Sequence, residues 1–162
     1  MKVSWGLGAV GCFAALICTA GAIIAPILKS AGSSTETKQC AENLRRISAA
    51  MFQYAEANND LLPGEKWDVA LHSIESDAVT YACPHQRRVD PKSSGYALNR
   101  VLAGKALGKV EAPATTILVF DSKPTVPGVL ADPADVPRPA RHRNGRVNNV
   151  AYADGRIAEF EP

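Results

Sequence analysis

The sequence lacks the spacing patterns by which common catalytic sites are recognised. It contains no G-x-S-x-G, no H-E-x-x-H and no glycine-rich phosphate loop. Its three histidines, His72, His85 and His142, are scattered along the chain, as solvated histidines usually are. No nucleophile, base and supporting third group can be assembled from these patterns, so we predict a protein without enzymatic activity.

The chain also lacks a strong excess of charge. Its formal net charge is only +2, which gives no reason to expect a polyanionic partner. An arginine-rich tract near the C-terminus has no interleaved aromatic residues that could stack on bases. We therefore expect no nucleic-acid partner and interpret the tract as a solvated loop. It comprises Arg138, Arg141, His142, Arg143 and Arg146.

The four cysteines show no paired C-x-x-C spacing, so the sequence does not indicate a zinc site. Cys12 and Cys18 fall in an uncharged segment, where they are interpreted as small apolar residues. Cys40 and Cys83 lie in the body of the chain, on positions expected to face the core. They either form a disulfide between a helix and a strand or remain two reduced thiols. A disulfide would require the body to face an oxidising compartment.

The segment Val3–Leu28 contains no charged side chain over 26 residues. About 20 apolar residues suffice to cross a bilayer as a helix, so we predict a transmembrane anchor over residues 1–30 and a globular domain over 31–162. A cleaved signal peptide is the alternative, because Ala20-Gly21-Ala22 resembles a cleavage site. The apolar run continues well beyond that site, which favours a retained anchor. More positive charge follows the segment than precedes it, and read alone this bias would place the domain in the cytoplasm.

Within the domain, apolar or small side chains recur with helical spacing and then give way to strand-like runs. Cys40, Leu44, Ile47, Met51 and Tyr54 define one face of an amphipathic helix predicted over Thr35–Asn58. A short second helix and three strands are predicted after it. Their bounds are Lys66–Ile74 for the helix, and Val79–Cys83, Gly95–Leu98 and Thr116–Asp121 for the strands.

The last residues predict an antiparallel hairpin. With Asp154-Gly155 as a two-residue type I′ turn, Tyr152 would lie opposite Ile157, and Val150 opposite Glu159. Before the hairpin, Pro124–Arg143 is a long proline-rich excursion that a small domain retains only if something holds it.

The order of these parts resembles a known family. The relevant segments are Cys40-Ala41-Glu42-Asn43-Leu44-Arg45-Arg46-Ile47, Leu62-Pro63, Cys83-Pro84, Ser94-Gly95-Tyr96-Ala97-Leu98-Asn99, Thr116–Asp121 and the closing His142, Asp154 and Gly155. The chain resembles bacterial pilin-like proteins, specifically the prepilin-like family with a C-terminal His-x-Asp-Gly signature, related to the major pseudopilin of type II secretion. The resemblance implies an α+β fold with an N-terminal transmembrane helix and a long amphipathic helix packed on a small antiparallel sheet.

The resemblance also implies a function and a location. It points to a membrane-anchored structural or assembly protein of a secretion or pilus-type machine, with other pilin-like subunits or machine proteins as partners. The location implied is the bacterial inner membrane, single-pass, with the C-terminal domain periplasmic or extracellular. Two features depart from the family: no acidic residue precedes Glu36 and no prepilin peptidase site is visible, and eleven residues separate His142 from Asp154 where nine are common. The alternative is an exported, membrane-tethered binding module that uses the 122–148 loop.

No cofactor is expected from the sequence. The related pseudopilin binds calcium in a loop before its last strands, and hard oxygen ligands suit that ion. Asp121, Asp132, Asp135 and Asp154 stand in or beside the corresponding excursion. The plainer interpretation is that salt bridges to the arginine tract hold this loop.

Overall fold

The computed structural model describes residues 34–162, which form one long helix packed against a five-stranded sheet. The predicted α+β class is confirmed at this level. The helices are α1 (34–57), α2 (Trp67–Leu71) and α3 (Pro84–Val89). The strands are β1 (Tyr96–Asn99), β2 (Ile117–Asp121), β3 (Leu130–Ala131), β4 (Asn148–Tyr152) and β5 (Ile157–Phe160). Two short 3-10 turns span Leu107–Lys109 and Pro133–Asp135.

Helix α1 matches the amphipathic helix predicted from the sequence to within one residue at each end. Its predicted apolar stripe faces the sheet, and Cys40, Leu44, Ile47 and Met51 are fully buried there. The helix ends where Asn59 and Asp60 adopt positive φ angles of 56° and 66°. Asparagine and aspartate reach this region more easily than most residues, so the pair is a suitable stop.

The sheet is mixed, and the prediction of a purely antiparallel sheet is wrong. Its order is β3-β1-β2-β4-β5, and every neighbouring pair is antiparallel except β1 with β3. Strand β3 has only two residues and pairs in parallel through Leu98 with Leu130 and Asn99 with Ala131. So short a strand leaves no alternating pattern in the sequence. The strand predicted over Val79–Cys83 is also wrong, because that segment forms turns leading into α3.

The predicted fold class needs a second correction concerning the membrane helix. Among residues 34–162, no helix combines the length and the apolar character that crossing a bilayer requires. The longest, α1, carries charged side chains such as Glu42 and Arg45 along its exposed face. The transmembrane helix predicted over residues 1–30 lies outside the described residues. The fold is therefore an α+β domain with a mixed sheet and no membrane-spanning helix in its described part.

The sheet has a core on each face. The face towards α1 forms the larger core, with Leu98, Leu118, Val119 and Ala151 among its buried residues. The opposite face forms a smaller core that the proline-rich excursion covers. Ala97, Phe120, Ala131, Val136 and Val150 are buried in that smaller core. The excursion is thus held in place by apolar contacts with the sheet, in addition to polar ones.

The C-terminal hairpin forms as predicted, but its register differs by one residue. Ala151 lies opposite Ile157 and Val150 opposite Ala158. The turn is longer than predicted: Gly155 donates a backbone hydrogen bond to Tyr152, and only Gly155 takes a positive φ, of 88°. This is a type I turn with a glycine bulge, not a type I′ turn. Because side chains alternate along a strand, the shift moves Ile157 to the α1 face and Ala158 to the other.

Candidate functional site

Four side chains from four separate parts of the fold converge in the interior. Cys40 comes from α1, Cys83 from the start of α3, Asp121 from the end of β2, and His142 from the loop before β4. One potential ligand atom of each lies within 4.8 Å of the others. The cysteines and the aspartate are 0% exposed and the histidine 2%. We call these four residues the buried cluster.

Local backbone structure places each of the four. Cys40 lies on the apolar stripe of α1, which packs on the sheet. Cys83 is the N-cap residue of α3, and its backbone N–H donates to the Ser94 carbonyl at 2.7 Å. Asp121 ends a strand whose preceding three residues are buried. His142 is fixed by a backbone hydrogen bond to Val147 at 2.9 Å, which closes a tight loop.

The measured distances within the buried cluster are those of direct polar contacts. His142 Nε2 lies 3.1 Å from Asp121 Oδ2 and 3.7 Å from Cys83 Sγ. The Cys40 thiol donates to Asp121 Oδ1 at 3.3 Å. A single nitrogen of the histidine therefore faces both a carboxylate and a sulfur.

A second layer of hydrogen bonds surrounds the buried cluster. Arg141 Nη1 donates to Asp121 Oδ1 at 3.0 Å, and its side chain is only 5% exposed. The Asn149 backbone N–H donates to Asp121 Oδ2 at 2.6 Å. The Tyr96 hydroxyl donates to Cys40 Sγ at 3.3 Å. The carboxylate of Asp121 is therefore the common acceptor that orients the whole group.

The electrostatic environment favours the charged forms of three members. Burial alone would raise the pKa of Asp121, but the hydrogen bond from His142 and the charge of Arg141 hold it below its ordinary value. Burial would lower the pKa of His142, yet the hydrogen bonds to Asp121 and Cys83 raise it to about 9. Desolvation is the main reason that the pKa of Cys40 is raised well above its usual value. The hydrogen bond from Cys40, followed by that from His142, lowers the pKa of Cys83 against the effect of burial.

The structure brings together the two cysteines for which a disulfide was predicted. Cys40 and Cys83 are both present as buried free thiols, and their sulfurs lie within 4.8 Å. The disulfide stays a prediction from the sequence. What the sequence did not reveal is that a histidine and an aspartate reach the same point.

Of the three signature residues, only His142 belongs to the buried cluster. Asp154 and Gly155 lie in the turn between β4 and β5, where the Asp154 carboxylate accepts a hydrogen bond from the Arg156 backbone N–H at 2.9 Å. Gly155 packs against α1: an added Cβ there would lie 3.0 Å from Phe52 Cε2. The signature residues therefore lie at two places, in the loop before β4 and in the turn after it.

The four aspartates considered for calcium do not gather around one point. Asp132 and Asp135 form a capping box on their own 3-10 turn, with Asp135 Oδ2 accepting from the Asp132 backbone N–H at 3.3 Å. Within residues 34–162, the group of three or more converging histidine, cysteine, aspartate or glutamate side chains is the buried cluster. Asp121 belongs to that group, not to a calcium loop.

Three arginines of the tract, Arg138, Arg143 and Arg146, are exposed as predicted. Arg141, predicted to be solvated, is instead buried against Asp121. Arg143 forms an ion pair with Glu159 at 2.6 Å. A separate surface cavity of about 430 Å³ lies near α2 and α3, with Val69, Tyr81 and Pro91 among its lining residues. From the 122–148 loop, only Pro127 reaches it.

Sequence reasoning missed the buried cluster because its members are far apart in the chain and follow no motif. One signal was present: Asp121 directly follows the buried strand residues Leu118, Val119 and Phe120. The sequence therefore places a charged group at the edge of the core. A buried carboxylate requires partners. The sequence does not show which histidine or arginine that partner is.

Comparisons with known proteins give no further assignment. No protein-family model matches this chain, and no curated protein or solved structure matches it either.

Proposed function

We propose that this chain is a non-catalytic, pilin-like structural or assembly subunit of a secretion or pilus-type envelope machine. The observation that carries the proposal is the use made of the three signature residues. His142 and Gly155 each fasten one part of the fold to another, and the exposed Asp154 stabilises the turn that carries Gly155. A signature whose residues stabilise the fold is consistent with a structural protein.

His142 performs the first of these tasks. Its imidazole contacts Asp121 on β2 and Cys83 at the start of α3. The loop that carries it also covers the outer face of the sheet. The histidine therefore adds a polar connection between three segments, and Arg141 of the same loop reinforces the connection to β2.

Gly155 performs the second task, because the hairpin turn approaches α1 closely there. Its positive φ and its distance to Phe52 both favour a residue without a side chain. The turn thus seats the last two strands on the long helix. The Asp154 side chain stabilises the same turn through the Arg156 backbone.

The burial of the reactive side chains supports the same proposal. The thiols of Cys40 and Cys83 are fully buried among core residues, so a substrate has no open path to either sulfur. Buried polar groups arranged in this way stabilise the fold and do not contact a substrate.

We further propose that the protein is attached to the inner membrane through the uncharged segment Val3–Leu28, which precedes α1 in the sequence. The body would then be periplasmic or extracellular, as in the proteins that the chain resembles. Other pilin-like subunits or machine components would be its partners.

The alternative, a binding module that uses the 122–148 loop, is less well supported. Its main candidate for an anion site, Arg141, already donates to Asp121 and to the carbonyl oxygens of Gly95 and Ser122. Val129, Ala131 and Val136 of the loop pack against the sheet, and Val126 is 67% exposed. We therefore retain the assembly function.

Site-specific photo-crosslinking in the native bacterial membrane tests the proposal. A crosslinker is placed at exposed positions on three surfaces, Gln53 on α1, Val69 on α2 and Glu159 on β5. An assembly subunit should give a discrete adduct from one surface, identified by mass spectrometry as a second copy or a machine component, and should fractionate with the inner membrane. Absence of adducts from all three surfaces, with the chain in a soluble fraction, would contradict it.

A further inference from the structure

We infer that the buried cluster is a closed structural site for a divalent transition metal, with zinc as the best fit. Cys40, Cys83 and His142 would each supply one ligand atom, and Asp121 would complete the coordination with a carboxylate oxygen. The inference does not depend on the proposed assembly function, because it rests only on the interior of the domain.

The donor set is the first argument. Two sulfurs, one imidazole nitrogen and one carboxylate oxygen are ligand types that zinc accepts, and four protein ligands are the rule for its structural sites. Calcium and magnesium prefer sites made of oxygen alone, so the two sulfurs disfavour them. The mixture of soft sulfur with nitrogen and oxygen therefore indicates a transition metal.

The spacing of the donors is the second argument. With ordinary zinc–ligand bond lengths, a tetrahedral site has nitrogen–oxygen edges of about 3.3 Å and sulfur–nitrogen or sulfur–oxygen edges of about 3.6 Å. The corresponding distances are 3.1 Å from His142 Nε2 to Asp121 Oδ2, 3.7 Å from His142 Nε2 to Cys83 Sγ, and 3.3 Å from Cys40 Sγ to Asp121 Oδ1, the other oxygen of the carboxylate. All four donor atoms lie within 4.8 Å of one another. The two edges at His142 therefore match a tetrahedral ion to within a few tenths of an ångström, and the four donors are near enough to close around one ion.

The surrounding hydrogen bonds are the third argument. Metal ligands in proteins are usually oriented by outer hydrogen bonds, and ligating carboxylates are themselves hydrogen-bonded. Asp121 accepts from Arg141 and from the Asn149 backbone. Cys40 accepts from the Tyr96 hydroxyl, which in turn accepts from Asn43 Nδ2 at 3.3 Å. Such a donor aimed at a sulfur stabilises a thiolate.

The charge of the loaded site would also suit its burial. A divalent ion with two thiolates, one carboxylate and a neutral imidazole leaves a single negative charge. The Arg141 guanidinium, 3.0 Å from Asp121 and almost fully buried, cancels it. A compact neutral unit avoids the cost of an uncompensated charge in the interior. Arg141 would therefore stand beside the site as a counter-ion and not as a ligand.

A disulfide between the same cysteines is the competing state, since the two cannot coexist. A disulfide engages only Cys40 and Cys83 and gives no reason for a histidine nitrogen and a carboxylate to meet the sulfurs. A metal accounts for all four convergent groups with one interaction. It would also join α1, the start of α3, the end of β2 and the final loop at one point.

Metal analysis of the purified full-length chain tests the inference. The experiment uses a background with Cys12→Ser and Cys18→Ser, so that the only thiols are those of the buried cluster. We expect about one zinc per chain and two thiols that alkylate only after chelation. Cobalt added to the reduced, metal-free protein should give one bound ion per chain with thiolate charge-transfer bands and the visible bands of a tetrahedral complex.

Three variants make the test specific. Cys83→Ser should abolish the thiolate bands or leave a weaker one. Tyr96→Phe removes only the outer hydrogen bond to Cys40 and should weaken metal affinity by about 10-fold while the fold is kept. The control is His85→Gln: this ring lies 6.1 Å from the His142 ring but pairs with Glu36 at the surface, so its loss should leave affinity unchanged.

Several results would overturn the inference. One is a Cys40–Cys83 disulfide in the protein as isolated, whatever the reduced form binds afterwards. Another is a reduced protein that takes up no metal, or that binds cobalt without thiolate bands. Equal loss of affinity in Tyr96→Phe and His85→Gln would overturn the part of the inference that assigns the Tyr96 hydrogen bond to the site. None of these results bears on crosslinking in the membrane, so the two proposals can fail separately.

Discussion

Replacement of Asp121 by asparagine should destabilise the domain strongly even without metal. The carboxylate is fully buried and is the counter-charge of Arg141 and His142. Asparagine keeps the shape but removes the charge, and its amide would turn a donor towards existing donors such as the Asn149 N–H, which now lies 2.6 Å from Asp121 Oδ2. Removing one partner of a buried ion pair costs on the order of 3–5 kcal/mol, because the other charge stays buried. The carbonyls of Gly95 and Ser122 still bind Arg141, which favours the lower end of that range.

The assay is urea unfolding of the reduced chain in chelator, followed by the fluorescence of buried Trp67 in a Trp5→Phe background. With a urea dependence of roughly 2 kcal/mol per molar for a small domain, a loss of about 3 kcal/mol should lower the midpoint by about 1.5 M. The matched control is Asp77→Asn, which removes a surface ion pair with Arg46 at 3.2 Å. That pair is worth at most about 1 kcal/mol. If the two variants lose the same free energy of unfolding, the reasoning about the buried ion pair is refuted.

Three further outcomes are expected. Gly155→Ala should lose about 1–3 kcal/mol more than Gly104→Ala, because both have positive φ but only Gly155 lies against Phe52, whereas nothing is within 4 Å at Gly104; equal losses in urea unfolding would contradict the close approach. Leu44→Ala should cost about 2–5 kcal/mol by leaving a cavity under the helix, and a loss below 1 kcal/mol in the same assay would argue against its burial. Burial, followed by the nearby charge of Glu75, raises the pKa of Tyr81 to about 12. The folded state therefore favours the neutral tyrosine, and the stability that this side chain contributes below pH 10 should be lost as the pH rises towards 12. A difference titration of phenolate absorbance against Tyr81→Phe measures this, and ionisation near pH 10 would exclude the shift.

Helix α1 could be predicted because its evidence is local. Its apolar positions recur at helical spacing over about four turns, from Cys40 to Tyr54, and asparagines end it. Strand β2 was predictable for a related reason, since a short apolar run bounded by strand-breaking residues is typical of a buried strand. In both cases a single segment of sequence contains the whole signal.

The hairpin shows where local evidence becomes insufficient. The Asp154-Gly155 pair correctly located a turn, but that pair fits both a type I′ turn and a type I turn with a glycine bulge. The choice depends on the approach of Gly155 to Phe52, over a hundred residues earlier in the chain. The resulting register fixes which face Ile157 occupies. Tertiary packing therefore decided what the turn residues left open.

The buried cluster and the mixed sheet could not be derived from local patterns. Strand β3 is defined by pairing with β1 and has no periodicity of its own. Cys40 and His142 are separated by most of the domain, so their proximity follows from the topology alone. The histidine was noticed as a signature residue, but the sequence contained no sign that it was buried. The nearest thing to a local clue is Asp121 itself, because a carboxylate at the end of a buried strand requires a partner.

The smaller core, on the outer face of the sheet, has a consequence for how the domain tolerates shortening. Among the described residues, an irregular, proline-containing segment shields this face, and its Val136 is buried in the same core as Phe120 and Val150. Shortening that segment would expose a contiguous apolar surface on the strands and leave the core between α1 and the sheet intact. The shortened chain would be expected to keep its secondary structure but to self-associate, so solubility would be lost before folding is.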